Sequence, residues 1–198
     1  ITICLTVGPS LVSPSLARNG PNPSLGFRLG SMSLEELMDV EVTLAGRGEE
    51  SVFETAAAVS VLSADDIRRS GATTIAESLR LIAGMNVAHV DANKWAVSAR
   101  GFNGRFANKL LVQIDGRPVY TPTFSGVFWE VQDVVLADVE RIEVIRGPGA
   151  TLWGANAVNG IINVVTRSSD QTQGMLAVST VGTEERGTGT LRYGGRFG

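Results

Sequence analysis

The residues best placed to do chemistry lie in one stretch, Glu140 to Arg167. It holds Gly147-Pro148-Gly149, Gly154 and the pair Asn159-Gly160, between a branched run (139–145) and an apolar run (161–165). Strand, Gly-x-Gly and short helix is the arrangement in which a helix start can hold a phosphate. Asp170 stands about 20 residues further on, where an acid for a ribose hydroxyl would belong. The spacing argues against this reading. A parallel crossover needs roughly a dozen or more residues, mostly helix, and here about one helical turn fits before Asn159-Gly160. The third glycine is displaced, at Gly154, and no Gly-Lys-Ser/Thr is present. The bend is better read as a tight structural turn at Gly147, Gly149, Gly154 and Gly160, with Leu152 and Trp153 packing inward.

Other chemistries are sparse. There is one cysteine, Cys4, and one histidine, His89, so neither an internal disulfide nor a Cys/His metal set is encoded, and no catalytic triad can be assembled. Asp115-Gly116 has the form of a turn, not of a catalytic acid. The sequence therefore implies no enzyme, no cofactor and no metal site. A formal net charge of -3 gives no footprint for nucleic acid. What remains is recognition chemistry. Arg100 and Arg146 stand beside glycines at strand ends, and a guanidinium forms bidentate pairs with carboxylates. Three loops carry aromatic and hydrogen-bonding groups: 91–95 with Lys94 and Trp95, 102–109 with Arg105 and Phe106, and 120–129 with Tyr120 and Phe124. Phe102, Phe128 and Trp129 lie in the same loops and are expected in the core, since aromatics bury large areas.

The elements that position these groups can be read along the chain. Residues 1–33 read as the tail of a truncated secretory signal and a linker: Ile1–Val12 is apolar, and Ser15-Leu16-Ala17 resembles a small-residue cleavage site. A short helix near Leu34–Asp39 follows. Residues 57–62 form a strand, and Ser63 with Asp66 caps a helix that Gly71 stops. Thr74 and Glu77 cap a second helix, with Ile75, Leu79 and Ile82 on one face and Gly84 at its end. Strands follow at 85–90 and 96–99. The order predicts an α+β domain, a small mixed sheet with short helices and long loops. No run of 18 apolar residues exists, so no transmembrane helix is encoded. Past Arg167 two strand-like runs, 175–181 and 188–193, are joined by a Gly-rich turn. Leu191 and Tyr193 alternate with Thr190 and Arg192, as in an apolar-out, polar-in barrel strand.

Several ordered motifs carry a resemblance. The run Ile142–Thr166 is similar to the most characteristic segment of the plug domain of TonB-dependent outer-membrane receptors. Ser98–Asn103 resembles the plug's Arg-Gly-Phe motif, Leu110–Tyr120 its strand and Asp-Gly turn, and Ala58–Ser63 with Asp65-Asp66-Ile67 its first strand and helix. The resemblance spans roughly Leu34 to Arg167. It implies a plug domain at 51–167, a TonB-box region at 34–50, and the start of a transmembrane β-barrel at 168–198. Such barrels use about 22 strands of about 10 residues each, so the chain is expected to be a fragment. The family's energy-coupling box falls on Asp39, Val40, Glu41, Val42, Thr43, Leu44 and Ala45, an extended segment that would add as a strand to the periplasmic protein TonB. An ordinary edge strand is the alternative there. The resemblance makes Arg100 and Arg146 a lock facing glutamates of the receptor's own barrel, while pairing with Glu143 or Glu140 within the plug stays open. It gives Lys94, Trp95, Arg105, Phe106, Tyr120 and Phe124 to substrate contact, for a ferric siderophore or a cobalamin-like chelate. The implied location is the outer membrane, with a periplasmic N-terminus. A soluble periplasmic plug-like binding or signalling module is the second reading.

Overall fold

The computed structural model describes residues 3–5, 41–42, 50–51, 58–183 and 186–195. In chain order the strands are β1 (Ile3–Leu5), β2 (Glu41–Val42), β3 (Glu50–Ser51), β4 (Ala58–Ser63), β5 (Met85–Asp91), β6 (Lys94–Ala99), β7 (Leu110–Ile114), β8 (Arg117–Pro118), β9 (Val139–Arg146), β10 (Gly160–Thr166), β11 (Gly174–Val181) and β12 (Thr188–Gly194). Among the described residues three short α-helices accompany them: α1 (Ala64–Ser70), α2 (Ile75–Ser78) and α3 (Ala150–Trp153). The chain divides into a larger unit, Pro23–Thr166, and a smaller one made of Ile1–Asn22 with Arg167–Gly198.

The larger unit is built on a five-stranded mixed sheet of order β4-β9-β10-β7-β8. β10 pairs parallel with β7 and antiparallel with β9, and β4 runs antiparallel on the far side of β9. The near-continuous apolar text of β10 follows from burial on both faces. Ile142, Val144, Ile162 and Val164 face one layer, together with Leu62, Ile67, Leu79, Val97 and Trp129. Ile145 and Ile161 face the other, with Leu111, Ala157, Val59 and Trp153. Each such side chain contributes about 1.5–3 kcal/mol when fully withdrawn from water.

The helices start where their caps dictate. Ser63 Oγ accepts from the Asp66 amide at 3.2 Å, and the Asp66 carboxylate accepts from the Ser63 amide at 3.2 Å. Gly71 ends α1 in the left-handed region, at φ 72°. Thr74 caps α2, but one α-helical turn passes straight into a 3-10 turn at Leu79–Leu81. Ile75, Leu79 and Ile82 still share a buried face.

The bend between β9 and β10 joins antiparallel neighbours, Arg146 opposite Gly160, so it returns the chain on itself and cannot be a nucleotide-binding crossover. Two of its glycines are required by geometry. Gly154 sits at φ 95°, ψ -173°, a region open in practice to glycine alone. A Cβ on Gly160 would stand 2.5 Å from the Ile145 carbonyl. Leu152 departs from expectation: it is exposed, because the single turn of α3 offers only one side to the sheet and Trp153 takes it.

In the smaller unit β11 pairs antiparallel with both β1 and β12. Met175 stands opposite Tyr193 and Ala177 opposite Leu191, all on an exposed face, while Leu176, Val178, Thr190 and Arg192 share the other. β2 and β3 form a separate antiparallel pair, Glu41 with Ser51 and Val42 with Glu50. Of the segment Asp39–Ala45, only Glu41 and Val42 fall within the described residues. The helix expected near Leu34–Asp39, and the signal and linker reading of 1–33 apart from Ile3–Leu5, lie outside them.

Candidate functional site

Two groups of side chains stand out on the larger unit. The first surrounds the glycine bend. Arg146 closes β9, and its guanidinium donates to the Ala83 carbonyl and, at 3.0 Å, to Ser60 Oγ, while its Nε is buried without an acceptor. Arg100 is exposed on a turn with φ 55°, and a Cβ on Gly147 would stand 4.0 Å from both of its terminal nitrogens. Among the described residues neither arginine meets a carboxylate. Pairing of Arg146 with Glu140 or Glu143 is not found: Arg141 holds both, through Nη1 at 3.1 Å and Nε at 2.8 Å. Register explains this. Side chains alternate along β9, so Arg141 and Glu143 share one face and Arg146 takes the other, while Glu140 pairs with its chain neighbour Arg141.

Asparagines tie the neighbouring loops to this bend. Asn159 Nδ2 donates to the Gly101 carbonyl at 3.3 Å, Asn156 Nδ2 to the Ser125 carbonyl at 2.9 Å, and the Asn159 amide to the Lys109 carbonyl at 2.8 Å.

The second group lies on the loops. Lys94 pairs with Asp91 at 2.9 Å. The hydrogen bond from Lys94 holds the Asp91 carboxyl below its usual range, helped by the Ala92 amide and the more distant charge of Arg105. Arg105 is itself paired with Glu130 at 2.8 Å and lies over the rings of Phe106 and Phe128. Phe124 meets Phe106 and Phe128 edge to face, with centroids 5.1 and 4.9 Å apart. Phe106 and Tyr120 are exposed, and Tyr120 lines an open groove with Arg117, Phe128, Val131 and Gln132. Lys94, Arg105 and Phe124 are half-buried, so Phe106 and Tyr120 are the most open of these five loop side chains.

Trp95 is a correction. It is buried at 8% exposure, stacked on His89 at 4.2 Å with Arg80 5.2 Å from its ring centroid. The hairpin turn is tighter than the sequence suggested, so β6 already begins at Lys94, and Trp95 pairs with His89 on the core side. Phe102 is the opposite case: expected in the core, it is 78% exposed. Trp129 is buried as expected, and Phe128 is half-buried. Asp115 is a clamp. In a left-handed turn with Gly116, its carboxylate accepts from the Thr166 amide and hydroxyl, each at 2.8 Å. Sequence reasoning missed Glu130, the bracing asparagines and the exposure of Phe102. Glu130 lies 25 residues from its arginine, beyond any local spacing rule.

Residues 51–161 match the family model described as the TonB-dependent Receptor Plug Domain. The chain belongs to this family. The plug is 30% identical over 148 residues to the vitamin B12 transporter BtuB of Vibrio vulnificus, an alignment covering 74% of this chain and 23% of that protein. It is 30% identical over 189 residues to the iron-regulated outer membrane virulence protein of Vibrio cholerae, covering 88% and 28%. Against the ferric enterobactin receptor PirA of Pseudomonas aeruginosa the figures are 30% over 169 residues, 74% and 22%. The chain thus spans about a quarter of the length of these relatives. Among solved structures, the pyoverdine outer membrane receptor FpvA of Pseudomonas aeruginosa superposes with a TM-score of 0.56 at 21% identity, over 73% of this chain and 22% of that one. The mixed sheet with short helices is the plug fold, and only a small part of a barrel accompanies it. The plug belongs to the outer membrane, as its relatives do.

Proposed function

We propose that this plug gates a TonB-dependent outer-membrane transporter for a metal chelate, of the ferric siderophore or cobalamin type. The relatives named as transporters or receptors of vitamin B12 and ferric enterobactin support that substrate class. The observation that carries the gating role is the pair Arg100 and Arg146, neither of which has a carboxylate partner among the described residues although one is partly buried. A partly buried cation without an anion is costly. Glutamates on the inner wall of a barrel beginning at 168–198 would compensate both and hold the plug, 51–167, in the lumen. Chelate binds the loops of Lys94, Arg105, Phe106, Tyr120 and Phe124. TonB adds a strand along Asp39–Ala45 and, when energised, pulls. Force on that segment displaces part of the plug, and the chelate passes.

The test uses the full-length receptor in cells. Ferric siderophores and cobalamin are offered in turn, with TonB present or deleted. One chelate class should bind in both strains and accumulate only with TonB. Binding of none, or accumulation without TonB, would refute the reading.

A further inference from the structure

We propose that Phe102 is a peg by which the plug seats in the barrel wall, and that the turn Arg100-Gly101-Phe102 is shaped to hold that ring out of the domain. This deepens the plug reading and rests on it. Three successive residues occupy the left-handed region, with φ of 55°, 99° and 56°. Glycine does so freely, but arginine and phenylalanine seldom do, and a bulky side chain there is an outlier. Here the Phe102 ring is 78% exposed. The turn is also firmly mounted: Asn159 Nδ2 grips the Gly101 carbonyl at 3.3 Å, and Asn103 Nδ2 donates to Asn86 Oδ1 at 3.0 Å. A strained, braced turn that presents an apolar ring is built for a fixed partner, because its conformation is set before contact.

The neighbours of Phe102 indicate which partner. Arg100 lies on the same turn and borders an open groove with Arg80 and Asn86, and Arg146 is the residue before Gly147, against which Arg100 lies. Whatever covers this turn must therefore supply carboxylates beside an apolar socket. The inner wall of a barrel is polar and continuous with the proposed arginine lock. Phe102 begins the loop that also carries Phe106, but Phe106, Phe124 and Phe128 pack on one another and Phe102 makes no ring contact with them. The wall is therefore the occupant of the Phe102 site.

The experiment measures the rate at which protease cleaves the plug in the full-length receptor in detergent, with chelate affinity and the melting temperature of the 198-residue chain measured alongside. Phe102→Ala is compared with Phe102→Leu and Arg100→Glu. The peg predicts that Phe102→Ala speeds cleavage about tenfold, the range of a lost aromatic anchor, and that Phe102→Leu recovers part of this. Chelate affinity stays unchanged, and the chain alone melts no lower. If Arg100→Glu speeds cleavage and Phe102→Ala does not, the peg is wrong and the lock stands. If neither does, the proposed arginine lock fails with it, while the plug family of the chain stands. An equal loss of stability in the chain alone would make Phe102 an internal contact. A fall in chelate affinity at unchanged cleavage would assign the ring to the substrate. Either result overturns the proposal.

Discussion

The residues that mark this surface are set by what lies across from them more than by their types. Trp95 and Phe102 sit seven positions apart; from sequence Trp95 is expected at a ligand and Phe102 in the core, and the structure exchanges the two. Trp95 is buried because its strand starts one residue after the turn, which puts it on the core side opposite His89. Phe102 is exposed because a left-handed turn throws it outward. Neither outcome is legible without the register. Asp91 gives a pH test at this scale. Its carboxyl titrates below the ordinary value of 3.8, chiefly through Lys94. A group whose folded pKa is lowered adds stability above its unfolded pKa and loses it as pH falls through the folded one. The Asp91–Lys94 contact should therefore hold from neutrality down to about pH 4 and weaken only below it. Nuclear magnetic resonance titration of the Asp91 side chain should show a midpoint below that of an exposed aspartate; a midpoint at or above it would contradict the contact.

At the scale of elements, local signals were well written in the sequence. Ser63 with Asp66 and Thr74 with Glu77 are three residues apart, so their caps need no knowledge of the fold, and the glycine bend is equally local. The sheet order was not legible, because β4 and β10 are separated by nearly a hundred residues and β9 is inserted between them. Two substitutions test the bend and the clamp. Gly160→Val places a Cβ 2.5 Å from the Ile145 carbonyl and should cost about 2 kcal/mol or more, at the level of an overpacked core. Asp115→Ala removes both acceptors of Thr166 and should cost about 1–3 kcal/mol. Urea denaturation of the 198-residue chain reads both, and an unchanged midpoint in either variant would refute the corresponding role.

At the scale of the whole molecule, coupling requires a strand that can change partners. Glu41 and Val42 already pair with Ser51 and Glu50 over two residues. So short a ladder is readily exchanged for a longer one with TonB. Val42→Pro removes an amide donor from that segment, so uptake should fall to background in the full-length receptor while chelate binding persists. Uptake at the unsubstituted rate would place the coupling segment elsewhere. The family itself was legible from ordered motifs, but the substrate was not, because the loops offer aromatic and cationic contacts without any metal-ligating set to name the chelate. The most direct measurement is therefore the accumulation of labelled chelate by cells making the full-length receptor, with Arg100 and Arg146 both reversed to glutamate. The account predicts chelate binding as before, a plug that proteases cleave faster, and chelate leaking in without TonB. Uptake that remains wholly TonB-dependent, with the plug as protease-resistant as before, would contradict it.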